Sequence, residues 1–425
     1  TNRKAGALYA PAHFLENYLG KTKTRTCSRN RIELRLTLGK VHVWTAEKQT
    51  DRIMIGNACL PLLRTGLIKR HISLMPDFHE SGAGLIGSVF PTGGAMFPGW
   101  MGGDLGCGMT AISLPFPRAS IRGKQQAILA ALASAIPTGR AHHRTIIPEV
   151  EGHAIWKEEP FAPVLSHRTR KMLLHQFGSL GGGNHFLEIQ EDECGEAWLM
   201  VHSGSRALGG LLLNWHMDQA ARMSGVDLRL RRGMPYLPEN TPEATGYLHD
   251  SHYACGFASA SRRQVAQLAI KAISEVLKTT HAAEITDNDA VIDQPHNFVR
   301  REPHCGESLI IHRKGALGLQ EGESGMIPGS MGTCSFIVQG RGNGDAFDSC
   351  SHGAGRIFSR GMALRTISEA QCRASMEGIA YPEQIDLRDE SPAAYKDIRL
   401  VMKGQSDLVK IIHTLRPLVV LKGQN

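Results

Sequence analysis

The sequence lacks several features that mark whole classes of protein. No apolar run reaches the length of about 20 residues that a membrane-spanning helix needs, and residues 1–20 hold no apolar core typical of a signal peptide. The nine cysteines are odd in number and include no Cys-x-x-Cys pair, which argues against a disulfide framework or a zinc ribbon. We therefore expect a cytoplasmic protein with reduced thiols and no membrane partner.

Signatures of common nucleotide-binding and repeat folds are also absent. The chain has no Gly-x-x-x-x-Gly-Lys-Ser/Thr string, so a P-loop is excluded, and it has no internal repeats, low-complexity tracts or long linkers. Hydrophobic residues make up 42% of the 425 residues, which is enough for a sizeable core. The candidate residues described below extend from position 77 to 352 without a clean break. We therefore predict one large α/β (α+β) domain over residues 1–425.

Positive charge and glycine are plentiful. Lysine and arginine number 48 against 40 acidic residues, which gives a formal charge of +8. This excess favours a polyanionic partner, although on a long chain it is also typical of an ordinary solvated surface. The 46 glycines occur in clusters, which predicts tight loops that bring side chains together.

Residues 102–109 place a carboxylate and a thiol three positions apart between glycines. A tight loop aims Asp104 and Cys107 at one point, and oxygen and sulfur donors together suit a divalent transition ion better than magnesium alone. The alternative is a turn with a buried cysteine, since free cysteine is among the most buried residue types.

Two histidines lie beside small-residue turns and apolar strands. His185 follows the glycines 181–183, and His202 ends the predicted strand 198–201. A single histidine near a strand is more often a satisfied core or surface residue than a ligand. Two in such positions, where α/β proteins place their ligand sites, leave the metal and the structural interpretations equally open.

A further histidine has the surroundings of a nucleophile. His352 sits among small residues with Arg356 four positions later, as a histidine that attacks a phosphate requires. The Gly/Ser loop 328–333 offers N–H and hydroxyl groups for a phosphate. Asp77 and His79 lie in a predicted loop and are equally well explained as turn residues.

Local patterns predict the main elements of secondary structure. We predict strands over residues 32–38, 72–75, 85–90, 185–189, 198–201, 309–311 and 418–421. We predict helices over residues 125–136, 264–277 and 406–415, the last closed by Pro417.

Several of these strings occur together in one known family. The chain resembles the RtcB-type RNA-splicing ligases in residues 75–79, 104–109, 181–188, 201–206, 296–297, 327–333, 351–356, 394–397 and 422–423, in the expected order. Residues 1–50 match that family only loosely. The resemblance implies an RtcB-like fold with a sheet-rich core around a dinuclear metal cleft.

The resemblance also implies an activity. Members join RNA 3′-phosphate or 2′,3′-cyclic phosphate ends to 5′-hydroxyl ends with GTP and two Mn²⁺ ions, in tRNA splicing or RNA repair. The reaction passes through a histidine–GMP intermediate and an RNA end activated as RNA-3′-pp-G. An archease-like activator is the partner that the resemblance suggests.

The same resemblance assigns roles to individual residues. Cys107 would bridge two manganese ions, with Asp104 and His185 completing one site and His202 and His296 the other.

The nucleophile and the nucleotide pocket are assigned in the same way. His352 would take GMP, and Asp77 would orient its imidazole. The guanine and ribose pocket would be formed by Glu188, Ser335, Tyr395 and Lys422. The residues near the phosphates would be Asn184, Asn297, Ser330 and Arg356.

Two other functions compete with ligation. A metal-dependent 2′,3′-cyclic phosphodiesterase or phosphatase keeps the metals but needs neither His352 nor GTP, and an RNA-binding protein with a structural zinc needs no turnover. The chain also departs from the family pattern at Glu80-Ser81, Ser261 and Gln294-Pro295, which leaves substrate preference and partner dependence open.

Overall fold

The computed structural model describes residues 23–28, 30–36, 38–46, 51–81, 84–227, 234–279 and 291–423, and within them the fold is mixed α/β. Of the N-terminal segment 1–50, therefore, only residues 23–28, 30–36 and 38–46 fall inside the description. None of the described helices combines the length and the apolar character needed to span a bilayer.

The strands and helices alternate irregularly along the chain. The strands are β1 (Lys23–Ser28), β2 (Arg31–Leu36), β3 (Gly39–Trp44), β4 (Ile72–Ser81), β5 (Gly84–Thr92), β6 (Ala95–Met96), β7 (Gly108–Ser113), β8 (Phe186–Glu191), β9 (Ala197–Ser203), β10 (Leu237–Pro238), β11 (Val291–Pro295), β12 (Asn297–His304), β13 (Glu307–Lys314), β14 (Ala316–Gly318), β15 (Ser324–Ile327), β16 (Ser335–Gly340), β17 (Ser349–Ser351) and β18 (Val409–Leu421). The α-helices are α1 (Arg52–Leu63), α2 (Pro98–Met101), α3 (Arg118–Ile121), α4 (Gln125–Ala135), α5 (Pro148–Glu151), α6 (His167–Gln176), α7 (Ala207–Ser224), α8 (Pro242–Leu277), α9 (Arg360–Thr366), α10 (Glu369–Ala374) and α11 (Ile398–Lys403).

Two seven-stranded sheets form the framework. The first has the order β1-β2-β3-β4-β5-β13-β12 and the second the order β11-β7-β9-β8-β18-β16-β15. Every pairing in them is antiparallel except β3 with β4. The short pair β14-β17 leads into the segment that carries His352.

The long helix α8 contributes to both hydrophobic cores. Pro242 occupies its first turn and the Thr241 side chain caps its N-terminus. Tyr253 and Phe257 are buried in the core of the first sheet, whereas Val265 and others nearer the C-terminus are buried in the core of the second. At 1.5 Å per residue, its 36 residues extend about 54 Å, long enough to pack along both sheets.

One residue joins the two sheets next to the site. Strand β11 ends the second sheet at Pro295, and β12 enters the first sheet at Asn297. His296 lies between them, and its backbone N–H donates to the Cys107 carbonyl oxygen at 2.9 Å.

Two predicted elements were wrong. Residues 406–415 do not form a helix, because 409–421 belong to the single strand β18, which pairs with β16 and β8. Pro417, predicted to close that helix, lies at an irregularity in the register, where a residue without an N–H is tolerated. Residues 76–79 are not a loop but part of β4, whose pairing with β5 is interrupted between Leu74 and His79.

A buried arginine ties the first sheet to the segment before His352. Arg313 on β13 donates to both carboxylate oxygens of Glu302 on β12, with Nη2–Oε2 at 2.8 Å. It also donates to the Phe347 carbonyl oxygen at 2.8 Å and to Ser349 Oγ at 2.9 Å. Arg313, held in place by Glu302, therefore fixes β17 against the first sheet.

Replacing Glu302 with glutamine is expected to lower the free energy of unfolding by about 3 kcal/mol at neutral pH, because Arg313 becomes an uncompensated buried charge. Burial alone would raise the pKa of Glu302, but Arg313 and His304 lower it from 4.5 to about 2. The ionised carboxylate therefore stabilises the fold above pH 4.5, and this stabilisation is lost as the pH falls towards 2. Urea unfolding at neutral and acidic pH measures both effects.

The control is Glu307→Gln, which removes an exposed carboxylate from its pair with Arg70. It should change the free energy of unfolding by less than about 1 kcal/mol. Equal effects of the two substitutions would contradict the role of Glu302.

Candidate metal centre and nucleotide site

Strand register brings four donor residues to one end of the second sheet. Gly108, which opens β7, pairs with Ser203 at the end of β9 and with Pro295 at the end of β11. Phe186, which opens β8, pairs with His202. Cys107, His185, His202 and His296 lie at or next to these positions, so they meet at one edge although they span almost two hundred positions of sequence.

The side chains of these residues converge on the Cys107 thiol. Cys107 Sγ lies 3.4 Å from His185 Nε2 and 3.3 Å from His202 Nε2. His202 Nε2 in turn lies 3.1 Å from His296 Nε2. Cys107, His202 and His296 thus form a group able to hold a metal ion, and His185 Nε2 also lies close to the sulfur.

The orientation of His202 favours a cation at the centre of the group. Its Nδ1 faces the Asn184 carbonyl oxygen at 3.1 Å, so this nitrogen carries the proton and Nε2 presents its lone pair. That lone pair meets the nitrogen of His296 and the sulfur of Cys107 at close range. Such an arrangement of electron-rich atoms is stable when a positive ion lies among them.

Burial keeps the histidines neutral. Removal from water lowers the pKa of His185 to about 4 and holds the pKa values of His202 and His296 well below 6.5. Burial also raises the pKa of the Cys107 thiol, so in the absence of a cation the sulfur keeps its proton. Neutral imidazoles are metal ligands, and a bound cation would release the thiol proton.

The donor set fits a divalent transition ion. It combines a thiol with three imidazole nitrogens, and the buried Nδ1 atoms of His185 and His296 have no hydrogen-bond partner within the described structure. Asp104 lies outside the compact group: its side chain is exposed, but its charge acts on both Cys107 and His185.

His352 lies beside this group and is held by Asp77. Asp77 Oδ2 accepts hydrogen bonds from His352 Nδ1 at 2.6 Å and from the His352 backbone N–H at 3.1 Å. The ring centroids of His352 and His296 are 4.7 Å apart. Burial would raise the pKa of Asp77, but its electrostatic and hydrogen-bond contacts with His352, and the smaller effects of His79 and Lys396, keep the pKa below its usual value, so the carboxylate is ionised.

Two glycines allow the chain to close around Asp77. A Cβ at Gly355 would lie 2.0 Å from the Asp77 carbonyl oxygen, and one at Gly87 would lie 2.7 Å from Phe78 Cα. Both glycines have positive φ, which L-residues with side chains rarely adopt. The absence of side chains at both positions thus brings Asp77 within reach of His352.

Two linked clusters of polar residues contain the four residues assigned to guanine and ribose. Gln190 Nε2 donates to Ser335 Oγ at 3.1 Å and also to Glu188. Glu390 accepts from Lys422 Nζ at 2.6 Å and from Tyr395 Oη at 2.8 Å. Lys422 acts electrostatically on Glu188, which connects the two clusters.

The residues assigned to phosphates are less uniformly placed. Asn297 is buried, and its Oδ1 has no partner among the described residues, while Asn184 is exposed beside His185. Ser330 Oγ lies 3.0 Å from Thr333 Oγ1 in the predicted Gly/Ser loop. Arg356 is not in a helix; it forms a bridge with Tyr395, and its guanidinium donates to Glu390 at 3.0 Å.

Comparison with known proteins identifies the family of the chain. A sequence model of the family described as tRNA-splicing ligase RtcB matches residues 57–423. The chain belongs to the RtcB family.

Similarity to individual RtcB proteins extends over most of the chain. It is 37% identical to RNA-splicing ligase RtcB1 of one Escherichia coli strain and 36% identical to RNA-splicing ligase RtcB of strain K12, in both cases over 90% of this chain and 97% of the relative. It is 28% identical to the tRNA-splicing ligase RtcB of Methanococcus maripaludis, over 86% of this chain and 90% of that protein. RtcB membership supports an RNA ligase, and together with the cysteine–histidine group it supports dependence on a metal ion.

Sequence reasoning missed two residues of the candidate nucleotide site. Glu390 meets Lys422, Tyr395, Arg356 and Arg360, although the sequence analysis passed over residues 388–390. Gln190, which links Glu188 to Ser335, was not singled out either. The only sequence signal was position, since Gln190 lies two residues after Glu188 on a strand, where side chains share a face.

Proposed function

We propose that this chain is a GTP- and Mn²⁺-dependent RNA ligase that joins RNA 3′-phosphate or 2′,3′-cyclic phosphate ends to 5′-hydroxyl ends. The observation that carries the proposal is the position of His352. Its Nδ1 is held by Asp77 at 2.6 Å, so its Nε2 remains free for attack, and its ring lies beside the cysteine–histidine group. A site that only opened 2′,3′-cyclic phosphate ends would not need a further histidine, oriented by a carboxylate, beside the cysteine–histidine group.

A 2′,3′-cyclic end must first be hydrolysed by water, which breaks the phosphorus–O2′ bond and leaves a 3′-phosphate and a 2′-hydroxyl. Three displacement steps then follow. His352 Nε2 attacks the α-phosphorus of GTP, so a nitrogen–phosphorus bond forms and pyrophosphate leaves. An oxygen of the RNA 3′-phosphate then attacks the same phosphorus, which frees His352 and produces RNA-3′-pp-G. Finally, the 5′-hydroxyl attacks the RNA 3′-phosphorus, the new phosphodiester forms and GMP leaves.

Asp77 makes the first step possible from within the chain. Its carboxylate accepts a hydrogen bond from the Nδ1–H group of His352, which fixes the tautomer that leaves a lone pair on Nε2. The charge of the carboxylate also stabilises the positive imidazole that forms during attack. Asp77 therefore both orients and activates the nucleophile.

The metal ions would be held by the converging donors. Asp104, Cys107 and His185 would bind one Mn²⁺, and Cys107 with His202 and His296 the other. Bound Mn²⁺ would neutralise the charge that develops on the phosphate oxygens.

The nucleotide would occupy the neighbouring polar clusters. Glu188, Ser335, Tyr395 and Lys422 supply acceptors and donors for guanine and ribose, since they form the two linked clusters described above. Contacts to phosphates are proposed for Asn184, Asn297, Ser330 and Arg356.

A labelling experiment tests the function. The protein is loaded with Mn²⁺, incubated with α-³²P-GTP and separated under denaturing conditions. We expect an acid-labile label on the wild type and none on the His352→Ala variant. No label on the wild type, or label that survives the substitution, would exclude the histidine–GMP mechanism.

Ligation assays with and without GTP separate this function from phosphodiesterase activity. An RNA with a 2′,3′-cyclic phosphate and a 5′-hydroxyl end should be joined only when GTP is present. Opening of the cyclic end without joining, at equal rates with and without GTP, would favour the phosphodiesterase.

GTP binding is expected to weaken about tenfold between pH 8 and pH 6, because burial raises the pKa of Glu188 to about 7. Above that pH the carboxylate is ionised and accepts hydrogen bonds from the guanine N–H groups; below it, protonation removes the acceptor. The KM for GTP in the labelling reaction, measured across this range, gives the profile. A Glu188→Gln variant should bind GTP weakly with a flat profile, and tighter binding at pH 6 would contradict the assignment.

Three wider proposals follow from the same function. We propose that the described residues belong to one ligase domain, since the site draws on positions from 77 to 422. The nine cysteines are all free, which suits a cytoplasmic enzyme with a thiol ligand. An archease-like activator remains the proposed partner besides RNA.

A further inference from the structure

A basic segment lies exposed next to the candidate site. Residues 139–148 contain no acidic side chain, and Arg140, His142 and Arg144 are exposed. No side-chain ion pair or hydrogen bond engages these two arginines within the described residues. Their charges are therefore available to a partner.

Helix α6 extends this positive charge. Its ten residues include no aspartate or glutamate. Arg168, Lys171 and His175 follow a spacing of three and four residues, which places them on one face of the helix. Arg168 and Lys171 are exposed and unpaired among the described residues, whereas Arg170 on another face is paired with Glu159 at 3.4 Å.

Backbone and ring contacts join the segment to this face of α6. The His143 N–H donates to the His175 carbonyl oxygen at 3.0 Å, and His175 Nδ1 lies 2.8 Å from the His143 carbonyl oxygen. The rings of His142 and His175 are 5.9 Å apart. Arg140, His142, Arg144, Arg168 and Lys171 therefore form one surface, which we call the basic surface.

The chain that leads into the basic surface begins next to the candidate metal ligands. Gly139 donates its N–H to the Gly181 carbonyl oxygen at 2.7 Å, and its own carbonyl oxygen accepts from Arg206 Nη2 at 3.4 Å. A Cβ at Gly181 would lie 2.8 Å from His185 Nδ1. Gly181 therefore connects Gly139 directly to His185. Since an extended chain covers at most about 3.6 Å per residue, Arg144 lies within about 18 Å of Gly139.

The same segment also touches the C-terminal wall of the nucleotide pocket. A Cβ at Gly423 would lie 2.3 Å from the Gly139 backbone nitrogen, and Gly423 directly follows Lys422. A polyanion that lies on the basic surface would therefore run up to the place where the guanylylated end forms. Surface charge of one sign that leads into a reactive site is the pattern expected of a nucleic-acid track.

We propose that the basic surface binds the sugar-phosphate backbone of the RNA substrate next to the end that is joined. The identity of the ligand rests on the proposed function, whereas the preference for a polyanion rests on the charges of the three arginines and the lysine and on the position of the surface. Arginine and lysine at such a surface contact phosphates without reading the bases, so binding should be independent of sequence and sensitive to salt.

Charge reversal tests the proposal. Binding of a fluorescein-labelled single-stranded RNA with a 3′-phosphate is followed by anisotropy between about 50 and 200 mM salt. The variant Arg140→Glu/Arg144→Glu should bind at least about tenfold more weakly at the lowest salt, and the slope of log affinity against log salt should fall by about 1.4, since each phosphate contact to a single strand contributes about 0.7. Arg168→Glu/Lys171→Glu should act in the same direction.

Two comparisons make the result specific. Lys124→Glu/Lys271→Glu reverses two exposed lysines outside the basic surface and should leave RNA affinity within about twofold of the wild type. The rate of GMP labelling from GTP should be unchanged in every variant, since GTP does not contact the basic surface. If the reversed variants fold poorly, Arg140→Gln/Arg144→Gln gives the same direction of change with less disturbance.

The outcomes separate this proposal from the proposed function. Absence of GMP labelling in the wild type overturns the ligase mechanism, while a specific loss of RNA affinity in the reversed variants still supports the surface. If RNA affinity is unchanged, or falls equally in the Lys124/Lys271 control, the proposal that this surface binds RNA is excluded. An acidic protein is then the remaining candidate partner for its charges. A loss of GMP labelling that parallels the loss of RNA binding also overturns it, because the residues would then act through the fold.

Discussion

The Asp77→Asn variant is expected to form the GMP adduct about 10³- to 10⁴-fold more slowly than the wild type. Asparagine fills the same space, but it removes the charge that stabilises a positive imidazole and permits the wrong tautomer of His352. Because Asp77 also accepts the His352 backbone N–H, the loop should keep its place. The effect should therefore fall on the rate of the chemical step and leave GTP binding almost unchanged.

A single-turnover labelling assay at saturating GTP measures that rate. The chain offers a matched control in Asp250, a buried carboxylate that accepts from His216 Nε2 at 2.8 Å between helices α7 and α8. Asp250→Asn should lower the melting temperature but leave the labelling rate within a few-fold. Similar rates for Asp77→Asn and the wild type would remove Asp77 from the mechanism.

Replacing Cys107 with alanine is expected to reduce adduct formation about 10³-fold or more. Cys107 Sγ lies within 3.5 Å of His185 Nε2 and of His202 Nε2. Its loss therefore removes the one donor shared by both proposed ion sites. Loss of about 4 kcal/mol of charge stabilisation at the phosphate corresponds to this factor. The variant should also retain less Mn²⁺ after dialysis.

Metal content measured by elemental analysis, together with labelling, checks this prediction. Cys59→Ala is the control, since Cys59 is a free, buried cysteine in the core of the first sheet. It should lower stability without a loss of bound metal. Full labelling and full metal content in the Cys107 variant would exclude a bridging thiolate.

The sequence alone is enough to nominate the residues of the candidate site but not to predict their geometry. The residues proposed for the metal site and the nucleophile stand out because they break apolar or glycine-rich stretches, as Cys107 and His352 do. Their convergence depends on strand register, for example the pairing of Gly108 with both Ser203 and Pro295. Register is set by long-range pairing, which a single sequence does not display.

The errors have the same origin. Residues 406–415 have a spacing that suits a helix, but β16 and β8 pair with residues 409–421 on both sides and impose a strand. Glu390 was missed because its importance lies in four partners from other parts of the chain. By contrast, helices 125–136 and 264–277 were found because their apolar spacing is local, and the structure confirms α4 and places 264–277 within α8.

The crossover at His296 has a consequence for how a metal ion bound at this group would be lost. Since a single residue separates β11, an edge strand of one sheet, from β12, an edge strand of the other, no spare length of chain accommodates a change in the angle between the sheets. Any partial unfolding that parts them must pull His296 away from Cys107 and His202 at the same moment. On heating, we therefore expect a bound metal ion to be released when the two sheets separate, before either sheet unfolds by itself.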